Sequence, residues 1–289
     1  MPGEDAHVGR APASGRLVVC PTPIGNLEDV TLRVLAALRT AEVVACEDTR
    51  HTRVLLQRHG LEARELLSYH EHNERQRSAK LVERMRAGAV VALVSDAGTP
   101  LISDPGYELV RDSIAAGVPV EVLPGPSAAV CALVASGLPT ERWCFVGFLP
   151  RRRGELEQVF QHSPATLVAF ESPRRVATTL GVLAAQDPQR AAAVCRELTK
   201  LHEEVRRGSA EELAGHYRAS PPRGEVVLVV GPPPADSANR AEALVALREL
   251  VSAGARARPA AGVVAKLAGV SANELYRGLI EEDTATRID

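Results

Sequence analysis

The sequence predicts an α/β protein of two domains, and three observations lead there. Strand-like and helix-like segments alternate along most of the chain, the order expected when helices cover a largely parallel sheet. Aromatic residues are only 3% while hydrophobic residues reach 45%, so the core must be Val, Leu and Ala, which suits packed parallel strands and helices. The length of 289 residues suits about two domains at ~100–200 residues each.

The elements follow in order. Leu17 to Cys20 is a short apolar strand, and Asp29 to Thr40 carries Val30, Val34, Leu35 and Leu38 at helical spacing. Val43 to Cys46 is a second strand, followed by a helix from about Thr49 that stops at Gly60. Asn73 to Ala87 is a helix closed by Gly88, and Ala89 to Val94 is a buried strand. Asp104 is read as the N-cap of the next helix, with Pro105 in its first position and Gly117 at its end. Val118 to Leu123 is a strand, and Pro124-Gly125-Pro126-Ser127 turns into an Ala-rich helix ending near Gly137. Arg142 to Phe148 and Thr166 to Phe170 are strands, and Ser172-Pro173 starts a helix by the same cap-plus-proline logic. Ala191 to Arg196 is a strand, Ser209-Ala210-Glu211-Glu212 a capping box, and Gly224 to Gly231 a last strand. Gly231-Pro232-Pro233-Pro234 reads as a linker. From about Asn239 the pattern is helical, with a final capping box at Ser271-Ala272-Asn273-Glu274. The expected division is a disordered tail 1–15, α/β domains 16–140 and 141–231, and a helical segment 239–283.

Net charge is −2, from 34 basic and 36 acidic residues, so any basic surface must be local. The five cysteines, Cys20, Cys46, Cys131, Cys144 and Cys195, form no C-x-x-C pair and read as reduced, buried thiols of a cytosolic protein. No metal is expected. The Gly/Ala/Pro-rich start lacks an apolar signal core, and no apolar run approaches the ~20 residues of a membrane span.

Chemistry concentrates in loops that follow predicted strands, where open α/β sheets bind ligands. The loop Ser95-Asp96-Ala97-Gly98-Thr99-Pro100-Leu101-Ile102-Ser103-Asp104-Pro105-Gly106 combines carboxylates, hydroxyls, glycines and prolines. Capping explains Asp104 and Pro105 but leaves Asp96, Gly98 and Thr99 for function. Pro21-Thr22-Pro23-Ile24-Gly25-Asn26-Leu27-Glu28-Asp29 lacks the three-glycine dinucleotide fingerprint, so it is either a ligand loop or a plain connection capped by Asp29. Glu47-Asp48-Thr49-Arg50-His51-Thr52 suits proton transfer, or is only a charged first helical turn. In Pro124-Gly125-Pro126-Ser127-Ala128 the backbone is fixed, and its N–H groups can bind a carboxylate or be capped by Ser127. Arg151-Arg152-Arg153 is a solvated basic linker or a phosphate contact. His70 and His72 read as surface polar residues before a helix rather than metal ligands.

Taken together these loops resemble the tetrapyrrole methylase superfamily and, within it, the small-subunit ribosomal RNA methyltransferase I branch. Gly147-Phe148-Leu149-Pro150, Phe170-Glu171-Ser172-Pro173, Arg196-Glu197-Leu198-Thr199-Lys200 and Gly224-Glu225-Val226-Val227-Leu228 continue the likeness in family order. Leu267 to Tyr276 resembles the family's small helical tail. The resemblance implies two α/β domains with the cofactor, S-adenosyl-L-methionine, in the interdomain cleft. It also implies a cytoplasmic homodimer that methylates the ribose 2′-oxygen of a cytidine in the decoding centre of 16S rRNA, within the 30S subunit. By position the cofactor residues would be Pro23, Asp96, Gly98, Thr99, Ser127 and Ala128, with additions near Phe170 and Glu171. Glu47, Asp48 and Lys200 are the catalytic candidates, and Arg50, Arg151, Arg152 and Arg153 the RNA-binding ones. The helical tail adds an RNA contact or supports packing and dimer formation. The rival readings are a precorrin-type small-molecule methylase, a protein methylase like diphthine synthase, and a non-catalytic RNA-binding assembly factor.

Overall fold

In the computed structural model, which describes residues 15–161, 163–233 and 235–285, the alternating segments build two separate sheets. The expected N-terminal tail lies outside the described residues, Gly15 excepted. The chain divides into two units. One runs up to Cys131 and also takes Glu197–Glu203; the other holds Ala132–Arg196 and everything from Glu204 on.

The first unit contains β1 (Arg16–Cys20), α1 (Leu32–Thr40), β2 (Val43–Cys46), α2 (Thr49–Arg58), β3 (Leu66–Ser68), α3 (Glu74–Arg86), β4 (Val90–Val94), α4 (Tyr107–Ala115) and β5 (Val120–Val122). All strands are parallel in the order β3-β2-β4-β1-β5, with Val18 opposite Ala92 and Ala45 opposite Leu93. Alternation along each strand feeds two cores. Val18, Cys20, Val44, Ala92 and Val94 pack with Val34 and Leu38 of α1 and Leu56 of α2. Leu17, Val19, Val43, Val91 and Leu93 pack with Leu81 and Met85 of α3 and Leu109 of α4. Helices therefore cover both faces, as a parallel sheet with continuous apolar strands requires. Every ligand-type loop is left at one edge, beyond the carboxyl ends of the strands.

Helix α5 (Ala128–Ser136) spans the boundary between the units. The second unit continues with β6 (Trp143–Phe148), α6 (Arg153–Gln161), β7 (Thr166–Glu171), α7 (Val176–Gln186), β8 (Ala191–Arg196), β9 (Glu204–Ser209), α8 (Ala210–Ala219) and β10 (Val226–Val230). Its order is β6-β7-β10-β8-β9, with only the β6–β7 pair parallel. One face packs on α6, α7 and α8 through Leu156, Phe160, Leu180, Leu213 and Tyr217. Helices α9 (Ala235–Ser252), α10 (Ala257–Ala268) and α11 (Ala272–Ala285) share a separate small core of Leu247, Ala261, Val264, Leu275 and Leu279.

Several local expectations are corrected. Asp104 does not cap α4: the helix starts at Tyr107, Gly106 is its N-cap, and the Gly106 N–H donates to Glu74 Oε2 of α3 at 3.3 Å. Asp29 does not cap α1 either, since it closes a short 3-10 turn and Thr31 accepts from the Val34 N–H. Ser172 and Pro173 form a turn ahead of α7, held by Arg175 N donating to Ser172 O at 2.8 Å. Arg153 opens α6 rather than closing a linker, and α9 begins directly after the prolines. Strands β3 and β9 add to the set expected from the apolar runs. Cys131 and Cys144 are exposed, unlike the buried Cys20, Cys46 and Cys195, and all five thiols are free. The capping box at Ser209 forms as expected.

Candidate active site

The loops beyond the first sheet are sewn together by their own polar groups. Thr22 and Gly98 exchange backbone hydrogen bonds of 2.8 and 3.0 Å, joining the loop after β1 to the loop after β4. The Thr22 hydroxyl donates to Ser95 O and the Ser95 hydroxyl to Gly98 O, each at 3.0 Å. Thr99 Oγ1 donates to Pro126 O at 3.0 Å and so fixes the loop after β5. Asp96 carries the connection to α2: its Oδ1 accepts from the Asp48 N–H at 2.9 Å, and its Oδ2 lies 3.0 Å from His51 Nδ1.

The segment 197–203 joins this edge from far along the chain. Thr199 Oγ1 accepts from the Asn26 N–H at 3.0 Å, and a Cβ at Gly25 would stand 2.5 Å from Lys200 Cγ and 2.7 Å from Thr199 Oγ1. Glycine at 25 is what admits this close approach. Among the described residues the non-glycine positions with positive φ are Leu101, Ser103, Glu197 and Thr199, all in loops of this edge. Strained backbone of this kind persists where surrounding structure enforces it, commonly at ligand sites.

The three catalytic candidates have separated roles. Asp48 accepts from the Arg50 N–H at 2.8 Å as the N-cap of α2 and pairs with the Arg50 guanidinium at 2.6 Å. Those Arg50 hydrogen bonds hold its carboxyl far below the usual carboxylate range. Lys200 Nζ lies 3.1 Å from Glu197 Oε1. Glu47 is half-buried, and burial first, then the Asp96 charge, push its carboxyl up. A raised proton affinity is what a general base needs, and of the two acids only Glu47 has it.

Asp104 is not the cap its sequence context suggests. Burial, followed by the charges of Glu47 and Asp96, pushes its carboxyl up to about 7. An Asp-Pro-Gly stretch looks like a helix opening, and only the tertiary position of the acid shows otherwise. The folded state thus keeps a proton that the unfolded chain releases near pH ~3.9, and stability falls as pH rises between those two values. Asp104→Asn is expected to match the wild type near pH 4 and to exceed it by ~1–2 kcal/mol at pH 8, after allowance for partial solvent screening. Urea unfolding at both pH values checks this, and the same difference at each would overturn it.

Pro23, Asp96, Gly98, Thr99, Ser127, Ala128, Glu47, Asp48, Arg50 and Lys200 all belong to the first unit. Arg151, Arg152, Arg153, Phe170 and Glu171 belong to the second. Glu171 is buried and pinned in place: Thr179 Oγ1 donates to it at 2.6 Å, the Ser172 N–H at 2.7 Å, and Arg175 lies 3.4 Å away. Among the described residues no group of three or more His, Cys, Asp or Glu side chains could hold a metal ion, and no helix is long and apolar enough to cross a membrane. His70 Nε2 lies 2.9 Å from Asn73 Nδ2, just ahead of α3.

Residues 16–214 match the family of tetrapyrrole (corrin/porphyrin) methylases. Ribosomal RNA small subunit methyltransferase I of Mesorhizobium japonicum is 47% identical over 280 residues, 95% of each chain. The chain belongs to the ribosomal RNA small subunit methyltransferase I family of tetrapyrrole methylases. Members from Escherichia coli O157:H7 and Mycobacterium tuberculosis are 41% and 44% identical, covering 96% and 95% of this chain and 98% of each relative. The family assignment makes the protein a methyltransferase and weighs against the non-catalytic reading. Uroporphyrin-III-C-methyltransferase from Thermus thermophilus, a solved structure, is 28% identical with a TM-score of 0.52, covering 75% of this chain and 94% of that one. A diphthine synthase structure shares the fold at 17% identity and a TM-score of 0.56, over 74% of this chain and 89% of its own. The methylase fold expected from the loop motifs is thereby met, and the rRNA branch is nearer than either rival enzyme.

Proposed function

We propose that this methyltransferase moves the methyl group of S-adenosylmethionine to the ribose 2′-oxygen of a cytidine in the decoding centre of 16S rRNA, within the 30S subunit. The similarity to ribosomal RNA small subunit methyltransferase I across 95% of both chains carries the reading. The sheet-edge loops suit the cofactor. They present small residues, hydroxyls and backbone amides instead of bulky side chains, which fits a ligand recognised through an amine, a carboxylate and a ribose. Pro23, Gly98, Thr99, Ser127 and Ala128 would hold it. Asp96 would act from a carboxylate already tied to α2.

When bound, the cofactor supplies an electrophilic methyl group for in-line displacement. The protein's share is alignment and handling of the ribose proton. Glu47 accepts that proton, and Lys200 stabilises the charge developing on the oxygen. Asp48 orients Arg50 through Nε and Nη2, and Nη1, with no hydrogen bond among the described residues, would meet a phosphate. Arg151 to Arg153 add exposed positive charge for the RNA backbone.

Two experiments test the reading. Incubation with 30S subunits and methyl-labelled cofactor, followed by mapping of 2′-O-methyl sites, should place the label on one cytidine of 16S rRNA. Label absent from rRNA would overturn it. A homodimer accords with apolar side chains left bare: Val134 of α5 is 70% exposed, and Phe148 of edge strand β6 66%. Val134→Glu is expected to weaken self-association by about 10²-fold or more, because a charge would be buried at the interface. Light scattering over a dilution series checks this, and an unchanged dimer would exclude α5 from the interface.

A further inference from the structure

The second unit contains a groove of about 400 Å³ into which four arginines project: Arg151, Arg153, Arg175 and Arg218. They arrive from separate places: the turn before α6, the start of α6, the residue before α7 and the last turn of α8. Arg175 is built in. Its Nη1 and Nη2 donate to Leu149 O and Pro150 O at 3.1 and 2.6 Å, which fixes the chain immediately before Arg151. Glu171 balances Arg175, and Glu157 pairs with Arg153 at 2.8 Å. Arg151 and Arg218 have no acidic partner among the described residues. Arg218 lies over α7, its Nη2 3.9 Å from where a Cβ on Gly181 would stand.

Like charges gathered in a concave site repel one another unless an anion joins them. The groove also receives Ala177 and Thr178 from the first turn of α7, which no side chain caps, so unpaired N–H groups add a positive end. Arg152, 86% exposed and 3.4 Å from Glu155, lies further out along the turn. A line of charge leading into a cleft fits successive phosphates of a chain better than a single small anion.

We infer that this groove binds backbone phosphates of the RNA substrate, with Arg151 and Arg218 as the charge-neutralising pair and Arg175 as the residue that positions Arg151. The inference rests on the rRNA reading and deepens it: Arg218 and Arg175 join the contact surface, and the groove contributes affinity and register, not base identity.

Salt dependence of binding to 30S subunits tests it. Each phosphate that is no longer neutralised lowers the slope of log K against log salt by about 0.7–0.9. Arg151→Ala/Arg218→Ala should therefore flatten the slope by about 1.5. The charge-matched control Arg39→Ala/Arg86→Ala, on exposed positions of α1 and α3, should leave the slope unchanged. Calorimetry with S-adenosylmethionine verifies that each variant is folded. A wild type that methylates 30S, with a double variant that keeps its slope, removes the groove alone. An equal loss in the control does the same, because it reports net charge. A wild type that fails to methylate rRNA removes the rRNA reading and the groove's role with it.

Discussion

Glu47→Gln is expected to slow single-turnover methylation of 30S subunits by about 10²–10⁴-fold, the usual worth of a positioned general base. Glutamine keeps the size and the hydrogen-bonding edge of the side chain but cannot accept the ribose proton. Cofactor affinity should stay within a factor of about two, because the loops that hold it are fixed by Thr22, Ser95, Asp96 and Thr99. Asp48→Asn should cost less. Its carboxyl is held ionised by Arg50 and works as a helix cap, a role asparagine fills nearly as well. Lys200→Met should fall between the two, since it removes charge stabilisation without removing the base. A second readout separates chemistry from packing. The Glu47 charge helps raise the Asp104 carboxyl, so Glu47→Gln should lower the Asp104 pKa from its value of about 7. Full activity in Glu47→Gln would move the base elsewhere, with Asp104, whose carboxyl is also raised, as the next acid to try.

Gly106→Ala is expected to destabilise the fold by about 2–4 kcal/mol, from backbone strain and overpacking together. Gly106 has φ of +132°, where an L side chain is strained, and its Cβ would stand 2.8 Å from Leu93 Cδ2 and 2.9 Å from Leu101 Cδ1. Neither neighbour yields easily. Leu93 is buried in β4, and Leu101 packs against the same core. Displacing either disturbs the loop that carries Gly98 and Thr99, so cofactor binding should weaken as well. Thermal unfolding and calorimetry check the two effects. A Tm within about 1 °C of wild type would show that the loop relaxes around the methyl group.

Much of this molecule is legible in its residues, for physical reasons. Strands β1, β2, β4 and β10 are continuous apolar runs that only a covered sheet can accommodate, and the Ser209 capping box is a local interaction that needs no partner from elsewhere. What eludes a linear reading is set by distant groups. Asp104 looks like a cap until Glu74 of α3 claims the Gly106 N–H and the helix opens later. Ser172-Pro173 looks like a helix start until Arg175 turns back to bind the carbonyls at 149 and 150. Strand β9, Glu-Val-Arg-Arg-Gly-Ser, is a polar edge without apolar alternation and forms only because β8 offers it a partner. In the site, the adjacent acids Glu47 and Asp48 are visible as a pair. Their division of labour is not, because it depends on Arg50 folding back on one and on burial with Asp96 acting on the other.

Segment Glu197–Glu203 lies between β8 and β9 of the second sheet, yet it belongs to the first unit and clasps Asn26 through Thr199. The consequence is one of timing. During synthesis the first sheet leaves the ribosome with all its strands, but the residues that close over its first loop emerge only after most of the second sheet. A nascent chain stopped before Glu197 holds every strand of the first sheet but neither Thr199 nor Lys200. The contacts that bring Thr199 and Lys200 to this edge join residues far apart in sequence, the kind of contact that forms slowly.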